Sequence, residues 1–190
     1  MSGRRIGMEY KLVRSRRKTC ALEINEEGLL VRAPYGVPVS DIERFIRDHQ
    51  SWIDSHLKKA EQNRQKAEEI GRLTAEDIRR LADEALKVIP ERVRYYAPLV
   101  GVTYGNITIR NQRTRWGSCS SEGNLNFNCL LMLTPKEVID SIVVHELCHR
   151  KEMNHSDRFY AEVLRVYPEY RKWEKWLKNN GAVIMKRAHG

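Results

Sequence analysis

The sequence predicts an α+β fold, and three observations lead to it. Short strand-like segments separated by turns open the chain. Apolar residues recur at helical spacing through its middle. A second group of short strands then precedes a helix that is apolar around most of its circumference. With 190 residues and 41% hydrophobics, the chain can bury one good core with a smaller lobe attached. The expected organisation is an N-terminal β-meander over residues 1–38, a helical arm over 39–98 and a region over 99–190 that carries the chemistry, packed together as one compact unit.

The opening strands read as Tyr10 to Arg14, Thr19 to Asn25 and Leu29 to Ala33, with Arg16-Arg17 and Glu26-Glu27-Gly28 as turns, which suggests a small antiparallel meander. After the Pro34–Pro38 interruption, Ile42, Phe45, Ile46, His49, Ile53, His56 and Leu57 mark an amphipathic helix beginning near Ser40. His49 and His56 fall on its apolar stripe and read as partly buried histidines rather than metal ligands. Lys58 to Glu69 is nearly all charged or amide, a solvated helical arm that Gly71 ends. A second helix, capped by Thr74 and Asp77, carries Ile78, Leu81, Ala82, Ala85 and Val88 until Pro90 kinks or interrupts it. Asn106 to Arg110, Thr114 to Ser118 and Leu125 to Asn128 then form a short antiparallel sheet, with Ser121–Asn124 as a turn.

Thr134-Pro135-Lys136-Glu137 has the form of a capping box with proline at the first helical position, so a helix starts there. Val138, Ile139, Ile142, Val143, Val144 and Leu147 cover most of that helix, which places it in the core. It also carries His145-Glu146-Leu147-Cys148-His149, the H-E-x-x-H pattern. A helix turns about 100° and rises about 1.5 Å per residue, so the two imidazoles lie about 40° and 6 Å apart and can converge on one ion. Glu146 falls on the flank of that face, where a carboxylate can take a proton from a water activated by the ion. Two imidazoles and a carboxylate on a buried helix are costly unless something binds them.

A catalytic zinc takes three protein ligands. His155 is the best-placed third: Arg150-Lys151 suit a helix C-terminus, Asn154 tolerates a left-handed turn, and Ser156-Asp157 begin another helix with Phe159, Val163, Leu164 and Val166. Glu162 and Glu169 are the competitors. Tyr160, Tyr167 and Arg115 are candidates to stabilise an oxyanion. Trp116 and the Arg113/Arg115 pair can line a groove or simply pack and be solvated, and Cys119 has no base near it in sequence, so it reads as structural.

Across Arg115-Trp116-Gly117-Ser118-Cys119-Ser120, Gly123-Asn124-Leu125-Asn126, Val143-Val144-His145-Glu146-Leu147-Cys148-His149 and Asn154-His155-Ser156, the chain resembles the YgjP-like metallopeptidase family, which is related to the SprT-like and WLM zinc proteases. The resemblance implies a zincin-like catalytic half with one zinc ion per chain, held by His145, His149 and His155, and with Glu146 as acid and base. It also implies a sheet edge above the metal helix, where a peptide can add as an extra strand. Cys148 departs from the small apolar residue usual at its position, and reads as a small buried hydrophobe.

The expected function is zinc-dependent hydrolysis of a peptide or protein substrate. The alternatives are hydrolysis of a nucleotide phosphoanhydride, or a nucleic-acid-associated module or DNA-tethered protease. A formal charge of +9, densest at Arg14, Arg16, Arg17 and Lys18, suits nucleic acid or nucleotide as a partner, although a solvated basic face is the commoner meaning of such a cluster. No apolar run approaches the ~18 residues of a membrane span. Met1-Ser2-Gly3-Arg4-Arg5 leads into no apolar signal segment, so a cytoplasmic protein with no membrane partner is expected. The four cysteines, at 20, 119, 129 and 148, lack C-x-x-C spacing and read as free thiols. Oligomeric state is not legible.

Overall fold

The structure, a computed structural model, describes residues 2–3, 9–25 and 27–189. It divides into two compact units, Met1–Lys66 and Ala67–Gly190, so the boundary falls within a helix rather than at residues 38/39 and 98/99. Glu26, part of an expected turn, lies outside the described residues, as do residues 4–8.

The first unit holds β1 (Ser2–Gly3), β2 (Tyr10–Ser15), β3 (Ala21–Asn25) and β4 (Gly28–Pro34), followed by α1 (Val39–Asp48) and the start of α2 (Gln50–Ile70). The strands lie where their residues predict, but not as a meander. Their order is β1-β2-β4-β3, with β2 parallel to β4 and β3 antiparallel to it. The reason is burial: β4 carries Leu29, Leu30, Val31 and Ala33, all buried, and a strand that apolar belongs in the middle of a sheet. Gly28, at φ 104°, closes the β3–β4 turn, and the Glu27 N–H donates to Asn25 Oδ1 at 2.9 Å. Ile42, Ile46 and Ile53 complete this core.

The expected single helix from Ser40 onward breaks at His49. Its ring Nδ1 engages the Phe45 carbonyl at 2.8 Å, the group a continuing helix would give to the His49 N–H, and that N–H turns to Ile46 instead. His49 and His56 are exposed, not partly buried, and His56 stacks on Trp52. Arg14, from the basic cluster, is committed to the fold: Nη1 donates to the carbonyls of Pro34, Tyr35 and Val37.

In the second unit α2 ends at Gly71, whose φ of 95° suits a glycine after a helix. Thr74 and Asp77 form a reciprocal capping box for α3 (Ala75–Val100). This helix runs through Pro90 and Pro98 without interruption. The N–H that Pro90 lacks would have bonded to Leu86, an exposed residue, where water can take its place. Leu81, Ala85, Ile89, Val93, Ala97 and Val100 form the buried stripe, so α3 belongs to the core of this unit and is no separate arm.

β5 (Ile107–Arg110), β6 (Gly117–Cys119) and β7 (Leu125–Asn128) follow in the order β5-β7-β6. The sheet is mixed rather than antiparallel, because β5 runs parallel to β7. The cause is the same as in the first unit, since β7 carries buried Leu125, Phe127 and Asn128 and takes the centre. A 3-10 turn (Cys129–Leu133) leads into α4 (Lys136–Cys148), and α5 (Asp157–Val166) and α6 (Tyr170–His189) complete the unit.

The expected capping box at the start of α4 does not form. Thr134 Oγ1 donates back to the Leu131 carbonyl at 2.7 Å, and Pro135 occupies the cap position. Asn154 is not left-handed either; the turn after α4 closes by bonds from the N–H groups of Arg150 and Lys151 to the carbonyls of Leu147 and Cys148. Among the described residues no helix is long and apolar enough to cross a membrane.

On α4, Asp140 accepts two bonds from Arg92, at 2.6 and 2.9 Å, and one from the Tyr96 hydroxyl at 3.2 Å. With Asp140 only 6% exposed, removing it leaves a guanidinium without its partner. Asp140→Ala is expected to cost about 3 kcal/mol in urea unfolding; a loss below about 1 kcal/mol would mean that solvent screens this pair. On α5, Glu162 is pulled down to about 2, chiefly by the hydrogen bond from Arg165 and then that from Lys151, against the opposing effect of burial. A carboxyl depressed by folding contributes stability above its ordinary value of 4.5 and loses it as pH falls toward 2. Glu162→Gln should therefore lower stability by about 1 kcal/mol at pH 7, after allowance for the half-exposed Arg165. That gap should close in thermal melts taken between pH 4.5 and 2, and a gap independent of pH would refute the assignment.

Candidate metal centre

His145 and Glu146 occupy the last turn of α4, and His149 caps it. His155 is exposed in the connection to α5, just before Ser156, whose hydroxyl accepts the Phe159 N–H and starts that helix. The turn brings the three rings together: their ligand nitrogens all lie within 4.8 Å of one another, with His145 Nε2 and His155 Nε2 at 3.0 Å. Phe159, fully buried, is their floor, with its ring centroid 4.9 Å from that of His145, 4.6 Å from that of His149 and 4.9 Å from that of His155.

The outward nitrogens are already engaged. His149 Nδ1 donates to the Glu152 carbonyl at 3.1 Å, and His145 Nδ1 meets the Tyr170 hydroxyl at 2.8 Å. For His149 this leaves Nε2 for the centre, and for His145 it does so when the Tyr170 oxygen accepts from Nδ1. Burial, and then the neighbouring histidines, push His145 down to about 3; burial also lowers His149. Both rings are neutral near pH 7, the form that binds metal.

Glu146 is 5% exposed and accepts no hydrogen bond from the described residues. Burial pushes its carboxyl up to about 8, opposed by the charge of Arg115. A buried carboxyl with no partner costs free energy, and a cation beside it removes that cost. Three imidazoles whose nitrogens converge on one point and a carboxyl that accepts no hydrogen bond form a donor set that fits a zinc ion. In a tetrahedral zinc site ligand nitrogens sit about 3.3 Å apart, close to the His145–His155 separation.

Glu146 lies against β6. A Cβ built at Gly117 would fall 2.6 Å from Glu146 Oε1 and 2.8 Å from its Cγ, so only glycine lets the strand approach the carboxyl this closely. Asn128, fully buried, holds the segment leading into β6: its Nδ2 donates to the carbonyls of Gln112 and Arg115, and its Oδ1 accepts the Leu130 N–H. Trp116 packs against Gly181 of α6, which makes it a packing residue. The cleft, about 320 Å³, is lined by Arg115, Gly117, Ser118 and Cys119 on one side and by the histidines, Glu146 and Met153 on the other.

The structure thus brings His145, Glu146, His149 and His155 together, and keeps both rival ligands away. Glu162 is tied to Lys151 and Arg165, and Glu169 to Lys172. Of the oxyanion candidates, Arg115 lines the cleft, Tyr167 donates its hydroxyl to the Glu137 carbonyl, and Tyr160 lies under the Arg171 guanidinium. Cys119 faces the cleft, but burial and then the Glu146 charge raise its thiol pKa. Cys148 is buried, its thiol pushed up to about 12. Neither is poised as a thiolate nucleophile. Sequence reasoning missed Phe159 as the floor, Tyr170 as the partner of His145 and Gly117 as the carboxyl's neighbour. Each has an ordinary packing or turn reading, and no spacing rule singles it out.

No curated protein matches this chain. Among solved structures it is similar to the metallopeptidase zymogen of Pyrococcus abyssi, abylysin, at 20% identity over 48% of this chain and 93% of that one, with a TM-score of 0.44. It is also similar to the metallopeptidase zymogen of Methanocaldococcus jannaschii, jannalysin, at 26% identity over 48% of this chain and 95% of that one, with a TM-score of 0.43. The YgjP-like metallopeptidase domain matches residues 18–79 and 71–180, and by that match the chain belongs to the YgjP-like metallopeptidase family.

Proposed function

We propose that this metallopeptidase domain is a zinc-dependent peptidase in which His145, His149 and His155 hold one ion and Glu146 is the general base. The observation that carries the reading is a buried carboxyl without a hydrogen-bond partner beside three imidazoles that converge on one point. A zinc ion held there would polarise a substrate carbonyl and make water more acidic. Glu146 acts in its ionised form, which burial alone disfavours and a neighbouring dication favours. It takes a proton from water as the carbonyl carbon is attacked, and then gives that proton to the departing amine.

β6 supplies the means to present a peptide. Trp116 and Ser120, on either side of it, bond to Asn128 and Asn124, so by alternation Ser118 faces β7 while the backbone groups of Gly117 and Cys119 point to the sheet's outer edge. A substrate strand that pairs with that edge runs along the cleft wall and meets Glu146 at Gly117. Arg115 is the cation on this wall, placed to draw negative charge that develops on a carbonyl oxygen.

The test is metal analysis joined to hydrolysis assays on a peptide panel, casein and a nucleotide panel, with native protein and Glu146→Gln side by side. The expected result is one zinc per chain in both proteins, peptide cleavage by the native form, and a loss of about 10²–10⁴-fold in the variant. Undiminished turnover in Glu146→Gln removes the base. Phosphate release from nucleotides with no peptide cleavage replaces the substrate class. Gly117→Ala should keep zinc while kcat falls by about 10²-fold, because its methyl displaces the carboxyl; native kcat in that variant would contradict the close approach.

A further inference from the structure

We infer that Tyr170 is a positioning residue for the metal centre, holding His145 in the tautomer and orientation that leave Nε2 free for the ion. The inference rests on the proposed function. It adds a residue outside the motif, 25 positions downstream of His145 at the start of α6.

A neutral imidazole carries one proton on two nitrogens, so Nε2 offers a lone pair only if Nδ1 keeps the hydrogen. For His149 the choice is fixed by the backbone, because the Glu152 carbonyl only accepts, and Nδ1 must therefore donate. His145 differs. Its Nδ1 faces a hydroxyl that can accept or donate, while its Nε2 faces His155 Nε2 at 3.0 Å. In that pair, a proton on His145 Nε2 blocks the nitrogen that must bind metal. Only when the Tyr170 oxygen accepts from Nδ1 is His145 Nε2 free.

The phenol is well placed for this. Tyr170 is 3% exposed, its ring lies nearly parallel to that of His145 with centroids 5.9 Å apart, and its backbone N–H is anchored on the Tyr167 carbonyl at 3.0 Å. α6 is in turn fixed along its length. Trp116 packs on Gly181, Arg187 Nε donates to the Gly71 carbonyl at 2.8 Å, and the Leu73 N–H donates to the Arg187 carbonyl at 2.8 Å. With Tyr170 replaced by phenylalanine, the ring packing survives and the Nδ1 hydrogen is stranded in a buried position. Partners of this kind typically contribute 10- to 100-fold to metal affinity.

The experiment measures zinc affinity by chelator competition for native protein, Tyr170→Phe and Tyr167→Phe, with the melting temperature of each metal-free protein as the control for folding. Tyr167 loses the same hydroxyl, but from a bond to the Glu137 carbonyl. The expected outcome is zinc affinity weakened about 10- to 100-fold in Tyr170→Phe and unchanged in Tyr167→Phe. Peptide turnover by Tyr170→Phe should recover when zinc is raised, with KM for peptide unaltered. Native affinity in Tyr170→Phe, or equal weakening in both variants, overturns the role of Tyr170 while leaving the zinc site in place. Native protein that binds no zinc overturns the metal site and this inference together.

Discussion

The constraint on which this structure depends is the burial of a helix that carries polar groups. α4 is covered on most sides beyond its first turn, and each polar side chain buried there must find a partner or raise the free energy of the folded state. Ser141 donates back to the Val138 carbonyl, Asp140 takes Arg92 and Tyr96, His145 takes Tyr170 and His149 takes the Glu152 carbonyl. Glu146 alone among them is left without one in the described residues. Two carboxyls six positions apart on one helix, both under 10% exposed, are therefore treated in opposite ways. Asp140 is satisfied within the fold, whereas Glu146 accepts no hydrogen bond and opens onto the cleft.

The surrounding elements keep that carboxyl reachable as well as buried. β6 could cover it completely, yet Gly117 lets the strand lie against Glu146 and still form one wall of an open cleft. The strand's position comes from β7, the apolar centre of its sheet, and from Asn128, whose amide ties the Gln112–Arg115 segment to the start of the 3-10 turn. α6 acts on both sides of the cleft at once, through Gly181 against Trp116 and through Tyr170 against His145. A shift of this helix would move Trp116 and the His145 ring together.

The sequence made α4 and its histidines legible because helical periodicity converts a four-residue spacing into a shared face, with no need of distant contacts. His155 was readable for a related reason, as a residue on the corner between two locally signalled helices. Strand pairing was not readable. In both sheets the segments sit where their residues predict, but the most buried strand, β4 in one and β7 in the other, takes a central place, and β2 and β5 run parallel to it where antiparallel neighbours were expected. Nothing in a strand's own alternation says which neighbour it will choose. The Thr134 capping box failed similarly: the pattern was present, but the preceding 3-10 turn offered the Leu131 carbonyl to the same hydroxyl. Long-range partners such as Tyr170, Asn128 and Gly117 carry no local signature, since each takes its meaning from a residue on another element.

The formal charge of +9 looks like the strongest clue to a partner, yet the cleft gives it little weight. Apart from the histidines, the lining residues that can be charged near neutral pH are Arg115 and Glu146, one of each sign. Charges farther away act through solvent with a screening length of about 8 Å at physiological salt, so they can steer an approaching molecule but hardly orient it at the reacting atoms. Arg14, one of the four cations of the densest basic cluster, spends its guanidinium on three backbone carbonyls. In the proposed function, choice of substrate at the bond to be broken would therefore fall to the edge of β6 and to Arg115. An edge strand reads backbone rather than side chains, which suits an extended peptide of varied sequence better than a single small molecule.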